Sequence, residues 1–243
     1  MTFLTVSELN KEYPNVHVLD KICFEIQRGE FVSVFGPNGC GKTTLLNILS
    51  GMDNSYTGSV KFTDNSIRKA FIFQNSNDSI LPWKNVLDNL RLDNQNIDES
   101  RIKDVLDELK LSNFKNRFPY QLSGGMKQLL AIARSFVFEC DIIFLDEPFS
   151  SLDYNMAQTV REKFLGLWQK DKPTIFFVSH DIKETILLSD KIILLSKRPA
   201  KIKKIIEIEL PRPRDSTILT SKKFLEYEKM ILYEVENENK IED

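Results

Sequence analysis

Gly36-Pro37-Asn38-Gly39-Cys40-Gly41-Lys42-Thr43 follows the apolar run Phe31–Phe35 and leads into Thr44-Leu45-Leu46. The eight residues fit G-x-x-x-x-G-K-[ST], and their flanks predict a strand before the loop and a helix after it. Glycines let the backbone curl until several N–H groups converge on phosphate oxygens, and the helix N-terminus adds positive potential. Lys42 supplies a point charge for the β- and γ-phosphates, and the Thr43 hydroxyl is placed to ligate Mg²⁺. The stretch therefore predicts a nucleoside triphosphate site at the end of a strand.

Working outward, short β-rich runs occupy Phe3–Leu9, Ile22–Gln27, Val60–Phe62 and Phe71–Phe73. The segment from about Gln74 to Phe138 has a different periodicity. Ile102, Val105, Leu106 and Leu109 repeat at helical spacing, with Asp98 as a cap. Leu129, Leu130, Ala133, Phe136 and Val137 form a second such stripe. Then come the apolar runs Ile142–Leu145 and Thr174–Val178, separated by a helical stretch around Ala157–Gln169. Strands apolar on both faces and alternating with helices predict a parallel sheet covered on both sides. Pro211-Arg212-Pro213-Arg214 reads as an extended linker. Lys222–Glu236 beyond it reads as an amphipathic terminal helix.

The 243 residues carry 33 basic and 35 acidic side chains, a net charge of −2 that gives no electrostatic reason to expect a nucleic-acid partner. No apolar stretch approaches the roughly 20 residues of a spanning helix, so a membrane role runs through a partner. The N-terminus lacks the apolar segment of a secretory signal. Cys23, Cys40 and Cys140 are too scattered for a metal site and read as reduced thiols. One α/β unit with a helical subregion is expected.

Asp146 and Glu147 close the run Ile142-Ile143-Phe144-Leu145, and Pro148 stops the strand. Ligands of open α/β sheets sit beyond the carboxyl ends of strands. Asp146 therefore suits the metal shell, and Glu147 suits orienting or deprotonating an attacking water.

Leu122-Ser123-Gly124-Gly125-Met126 decides among families that share such a phosphate loop. It resembles the signature loop of the ABC ATPases and lies upstream of Asp146 as in that family. Ser123 and two glycines opening a helix make a second anion site. One nucleotide does not need two in one subunit, so this one suits the ATP of a neighbour. By the same resemblance Tyr13 stacks on adenine, and Gln74 contacts Mg²⁺ and links the site to the transmembrane partner. Ser151-Leu152-Asp153 crosses the dimer interface, and His180 is the switch histidine near the γ-phosphate. The resemblance runs from Tyr13 to about Arg214, making residues 1–215 one ABC ATPase domain and 216–243 a C-terminal helix and tail. It implies a P-loop NTPase of α/β class: a RecA-like core, an antiparallel β subdomain and a helical subdomain at about 75–138. It further implies a homodimer that sandwiches ATP and Mg²⁺, catalysis through Lys42, Gln74, Glu147 and His180, and docking on membrane permease subunits at the cytoplasmic face.

Leu81-Pro82-Trp83, Ser196-Lys197-Arg198-Pro199-Ala200 and Leu210-Pro211-Arg212-Pro213-Arg214 resemble the nitrate/sulfonate/taurine branch of importers. Such importers take their solute from an extracytoplasmic solute-binding protein. A soluble ABC ATPase acting on ribosomes or DNA is the alternative, but such relatives usually carry two nucleotide domains or long coiled coils. Leu129 replaces the arginine common in the wider family, and the segment Asp64–Arg68 is short. The lysines at 197–204 alternate with isoleucines and read as solvated strand faces.

Overall fold

The computed structural model describes residues 1–64, 66–92 and 98–239, and the described chain divides into two compact units. The first comprises Met1–Ile67 and Thr174–Asp243, the second Arg68–Pro173.

In the first unit, β1 (Thr2–Tyr13), β2 (Val16–Gln27) and β4 (Thr57–Phe62) form an antiparallel sheet in the order β2-β1-β4. This is the antiparallel subdomain that the resemblance implies. Between them in sequence, β3 (Phe31–Phe35) is flanked by two parallel strands, β7 (Thr174–Val178) and β8 (Lys191–Leu195). Every residue of these three strands is buried, the pattern of a sheet covered on both faces. The edge strand β9 (Ile202–Glu207) turns back antiparallel to β8. Helix α1 (Lys42–Ser50) follows the phosphate loop, and α6 (Ile182–Leu188) follows β7. The last helix, α7 (Lys222–Asn239), buries Phe224 and Ile231 against Leu194, Ile206 and Ile208 and so belongs to this unit.

One reading from the sequence needs correction here. The stretch 211–214 is more than a linker. Arg212 pairs with Asp190 at 2.7 Å, and the buried Arg214 guanidinium donates to the carbonyls of Ile186 and Ser189. It thereby satisfies acceptors that the end of α6 leaves open. The lysine-rich stretch is likewise engaged: Lys204 pairs with Glu234 of α7 at 2.9 Å, and Lys201 with Asp20 at 3.2 Å.

The second unit holds the parallel pair β5 (Lys69–Ile72) and β6 (Ile142–Asp146) with helices α2 (Val86–Arg91), α3 (Glu99–Glu108), α4 (Gly124–Val137) and α5 (Tyr154–Asp171). Asp98 caps α3 by accepting from the Ser100 N–H, and Ile102, Val105 and Leu106 turn inward. The stripe of α4 is buried too, including Leu129 at 4% exposure, where a leucine fits without a partner charge. The expected helical subdomain at 75–138 lies inside this unit. The short segment 64–68 includes Asn65, which lies outside the described residues. Burial pushes the Cys140 thiol up to about 11, which leaves it a poor metal ligand.

Candidate active site

In the first unit the site grows from the adjacency of β3 and β7. Val34 pairs with Val178 in parallel register, so both carboxyl ends open side by side. Past β3 the chain enters the loop Gly36–Thr43. Gly41, at φ 122°, turns the chain into α1 with its position already pressed against the Val18 side chain, where a Cβ would meet it at 2.8 Å. Lys42 is buried, and its ammonium bridges the carbonyls of Gly36 at 2.9 Å and Pro37 at 3.0 Å. The lysine thus braces its own loop, and phosphate oxygens are the natural replacement for these carbonyls. Asn38, Gly39 and Thr43 are exposed at the mouth, whereas Cys40 is buried and donates its N–H to Pro37. Thr44 lies on the first turn of α1.

Past β7 the backbone around His180 is pinned from both sides. The Ser179 hydroxyl donates to the buried Glu184 at 2.7 Å, and Asp181 caps α6 by accepting from the Glu184 N–H at 3.0 Å. The exposed His180 is therefore carried on a fixed turn at the level where β3 ends. Tyr13 ends β1 with its ring about half exposed.

The second unit assembles its residues by the same device. Ile72 pairs with Leu145, so Gln74 and the Asp146-Glu147 pair leave the sheet next to each other. Glu147 adopts φ 45°, an uncommon conformation for a side chain of its kind, and the strained turn redirects the chain at the strand end. Ser150 ties the two together: Gln74 Nε2 donates to its hydroxyl at 3.2 Å, and that hydroxyl donates to the Glu147 carbonyl at 2.9 Å. Ser123 caps α4 by accepting from Met126, and Asp153 caps α5 by accepting from Met156. Both caps are exposed, as is Gly124, whereas Gly125 is buried. A cavity of about 600 Å³ is lined by Gln74, Asp78, Gly124, Lys127, Asp146 and Leu152.

Every expected residue thus falls at a strand end, on the phosphate loop or on a helix start. Within each unit the structure brings them together: the phosphate loop with His180 in the first, Gln74 with Asp146 and Glu147 in the second. Sequence reading missed two that touch the site. Ser150 carries no motif of its own. Arg198, one charge in the basic stretch 197–204, donates through its guanidinium to the carbonyl of Gly39, at 3.1 Å from Nε. Only the fold brings residues so far apart in sequence into contact.

Among the described residues no three His, Cys, Asp or Glu side chains gather into a metal cluster. Within the second unit Gln74 and Asp146 leave paired strands side by side. Their amide oxygen and carboxylate are donors that suit a hard cation, and Mg²⁺ takes few protein ligands beside waters and phosphate oxygens. When bound, such an ion neutralises charge on the β- and γ-phosphate oxygens.

The sequence profile described as ABC transporter matches residues 19–150. The chain belongs to the ABC transporter family. It is 37% identical to an aliphatic sulfonates import ATP-binding protein of Bacillus cereus, over 93% of this chain and 92% of that one. It is 33% identical to a nitrate import ATP-binding protein of Synechococcus elongatus, over 88% and 84% of the two chains. Among solved structures it is similar to a dimeric ATP-binding cassette in a post-hydrolysis state with ADP and Pi. There the TM-score is 0.71 at 27% identity, covering 86% of this chain and all of that one. This ABC subunit is accordingly an ATPase of the P-loop α/β class, and the signature sequence 122–126 sits at the start of α4.

Proposed function

We propose that this ABC ATPase subunit energises import of a small anion of the sulfonate or nitrate kind. The observation that carries the proposal is the identity to two import subunits over most of both chains. The chain docks on membrane permease subunits at the cytoplasmic face as a peripheral protein, and the permease receives solute from an extracytoplasmic solute-binding protein. No helix among the described residues is long and apolar enough to cross a membrane, so in this reading the pore belongs to the partner.

In the reaction, the phosphate loop and Lys42 hold the triphosphate, and Thr43, Gln74 and Asp146 would hold the Mg²⁺. Glu147 accepts a proton as water attacks the γ-phosphorus, and the bond to the ADP oxygen breaks. His180 donates to the transferred phosphoryl group. Two copies enclose two ATP molecules, with Ser123, Gly124 and Gly125 of each facing the ATP of the other and Asp153 crossing between them. The exposure of Ser123, Gly124 and Asp153 supports this reading. Ser123→Arg is expected to leave ATP binding to the single subunit within about twofold, because a lost cap costs only about 1 kcal/mol of helix stability. The same variant loses ATP-driven dimerisation. An ATP-bound Ser123→Arg dimer in light scattering would remove the signature loop from the interface.

The importer reading is tested by affinity capture of a tagged, slow-turnover Glu147→Gln variant with ATP and Mg²⁺ from gently solubilised native membranes. Recovery of a multispanning permease is the expected result. Ribosomal or DNA-associated partners without a permease would replace the importer reading with the soluble alternative.

A further inference from the structure

Tyr13 does not stand alone at the edge of the site. Residues two apart on a strand share a face, so Lys11 lies beside Tyr13 on β1. Its ammonium sits 4.5 Å from the centre of the tyrosine ring. Lys11 is only 2% exposed, and its charge is fully engaged. It lies 2.7 Å from Asp53 Oδ2 and 3.0 Å from Oδ1, and it donates to the Ser55 carbonyl at 2.5 Å. The same carboxylate accepts the Tyr13 hydroxyl at 3.2 Å. Its acidity follows from the arrangement: the Lys11 hydrogen bond, then the Ser55 N–H, holds the Asp53 carboxyl below the usual range.

Asp53 is itself fixed to the phosphate-binding helix. Gly51 ends α1 in the left-handed conformation, and the N–H groups of Met52 and Asp53 both donate to the Asn47 carbonyl. One short helix thus carries the phosphate loop at its start and the anchor of the tyrosine at its end. The cation sits over one face of the ring, and the residue stays about half exposed, so that the face away from Lys11 is the one to offer a ligand. The cation draws π density toward itself, which makes the open face less negative and a better stacking partner for a purine. The ring is also held before the base arrives, so binding loses less side-chain freedom.

We propose that Lys11 and Asp53 are positioning residues that hold Tyr13 as the adenine platform, so that they set affinity for the base of ATP and not for its triphosphate. The inference rests on the reading of Tyr13 as the stacking residue. A purely structural clip between β1 and the 51–55 turn would alter thermal stability without distinguishing base from phosphate.

The test compares binding of MgATP with binding of magnesium tripolyphosphate, which has no base, by titration calorimetry on the full chain. Lys11→Met and Asp53→Asn are expected to weaken MgATP about five- to tenfold, the scale of a partly desolvated cation–π contact. Tripolyphosphate affinity stays within about twofold, and Lys11→Arg recovers most of the loss. Should Lys11→Met fold poorly, the nearly isosteric Asp53→Asn carries the test. Tyr13→Ala separates the two levels. If it lowers only MgATP affinity while the Lys11 and Asp53 variants match wild type, or lose both ligands equally, the positioning role is overturned and the platform stands. If Tyr13→Ala leaves the ratio of the two affinities unchanged, the platform itself is wrong and the inference goes with it.

Discussion

Glu147→Gln is expected to keep MgATP affinity within about threefold while cutting turnover by about 100- to 10,000-fold, the range a positioned general base contributes. The substitution keeps size and shape and removes only the ability to take the proton of the attacking water. The carboxylate leaves β6 beside Gln74, on a turn held by Ser150, so the amide occupies the same place. Single-turnover release of labelled phosphate measures the effect without interference from product release. Retention of more than about a tenth of wild-type turnover, outside that range, would mean that another group activates water, and His180 would be examined next.

Lys42→Ala is expected to weaken MgATP about 10- to 100-fold, as loss of a charge-assisted contact to phosphate does. Turnover should fall further, by about 100- to 1,000-fold, because charge on the phosphoryl oxygens grows in the transition state. In the structure the ammonium also bridges the Gly36 and Pro37 carbonyls, so alanine removes a brace from the loop as well. Lys42→Arg distinguishes the two roles, since it keeps the charge with a different reach. Near-wild-type turnover in Lys42→Ala would take Lys42 out of the phosphate site.

Much of this site is legible in the sequence because its parts sit at strand ends. The runs before Gly36 and Asp146 are apolar on both faces, which marks central strands, and the residues that follow them inherit a place on the sheet rim. Ser123 and Asp153 are legible for a related reason, since each caps the helix that follows it, α4 and α5. What the sequence does not show are contacts between distant residues whose types are ordinary on a surface. Arg198 looks like one more charge in a basic stretch until the fold sets it on Gly39. Asp53 looks like a turn residue until β1 brings Lys11 and Tyr13 to it. Arg214 reads as linker because Pro211 and Pro213 before it suggest an extended chain, yet burial of its guanidinium among carbonyls fastens the end of α6.

In the proposed mechanism a second copy of the chain completes the catalytic site. Light scattering on Glu147→Gln, with and without MgATP, tests it most directly. The expected result is a monomer without nucleotide and a mass twice as large with MgATP, with two nucleotides retained per dimer. A variant that saturates with MgATP and remains monomeric would contradict it.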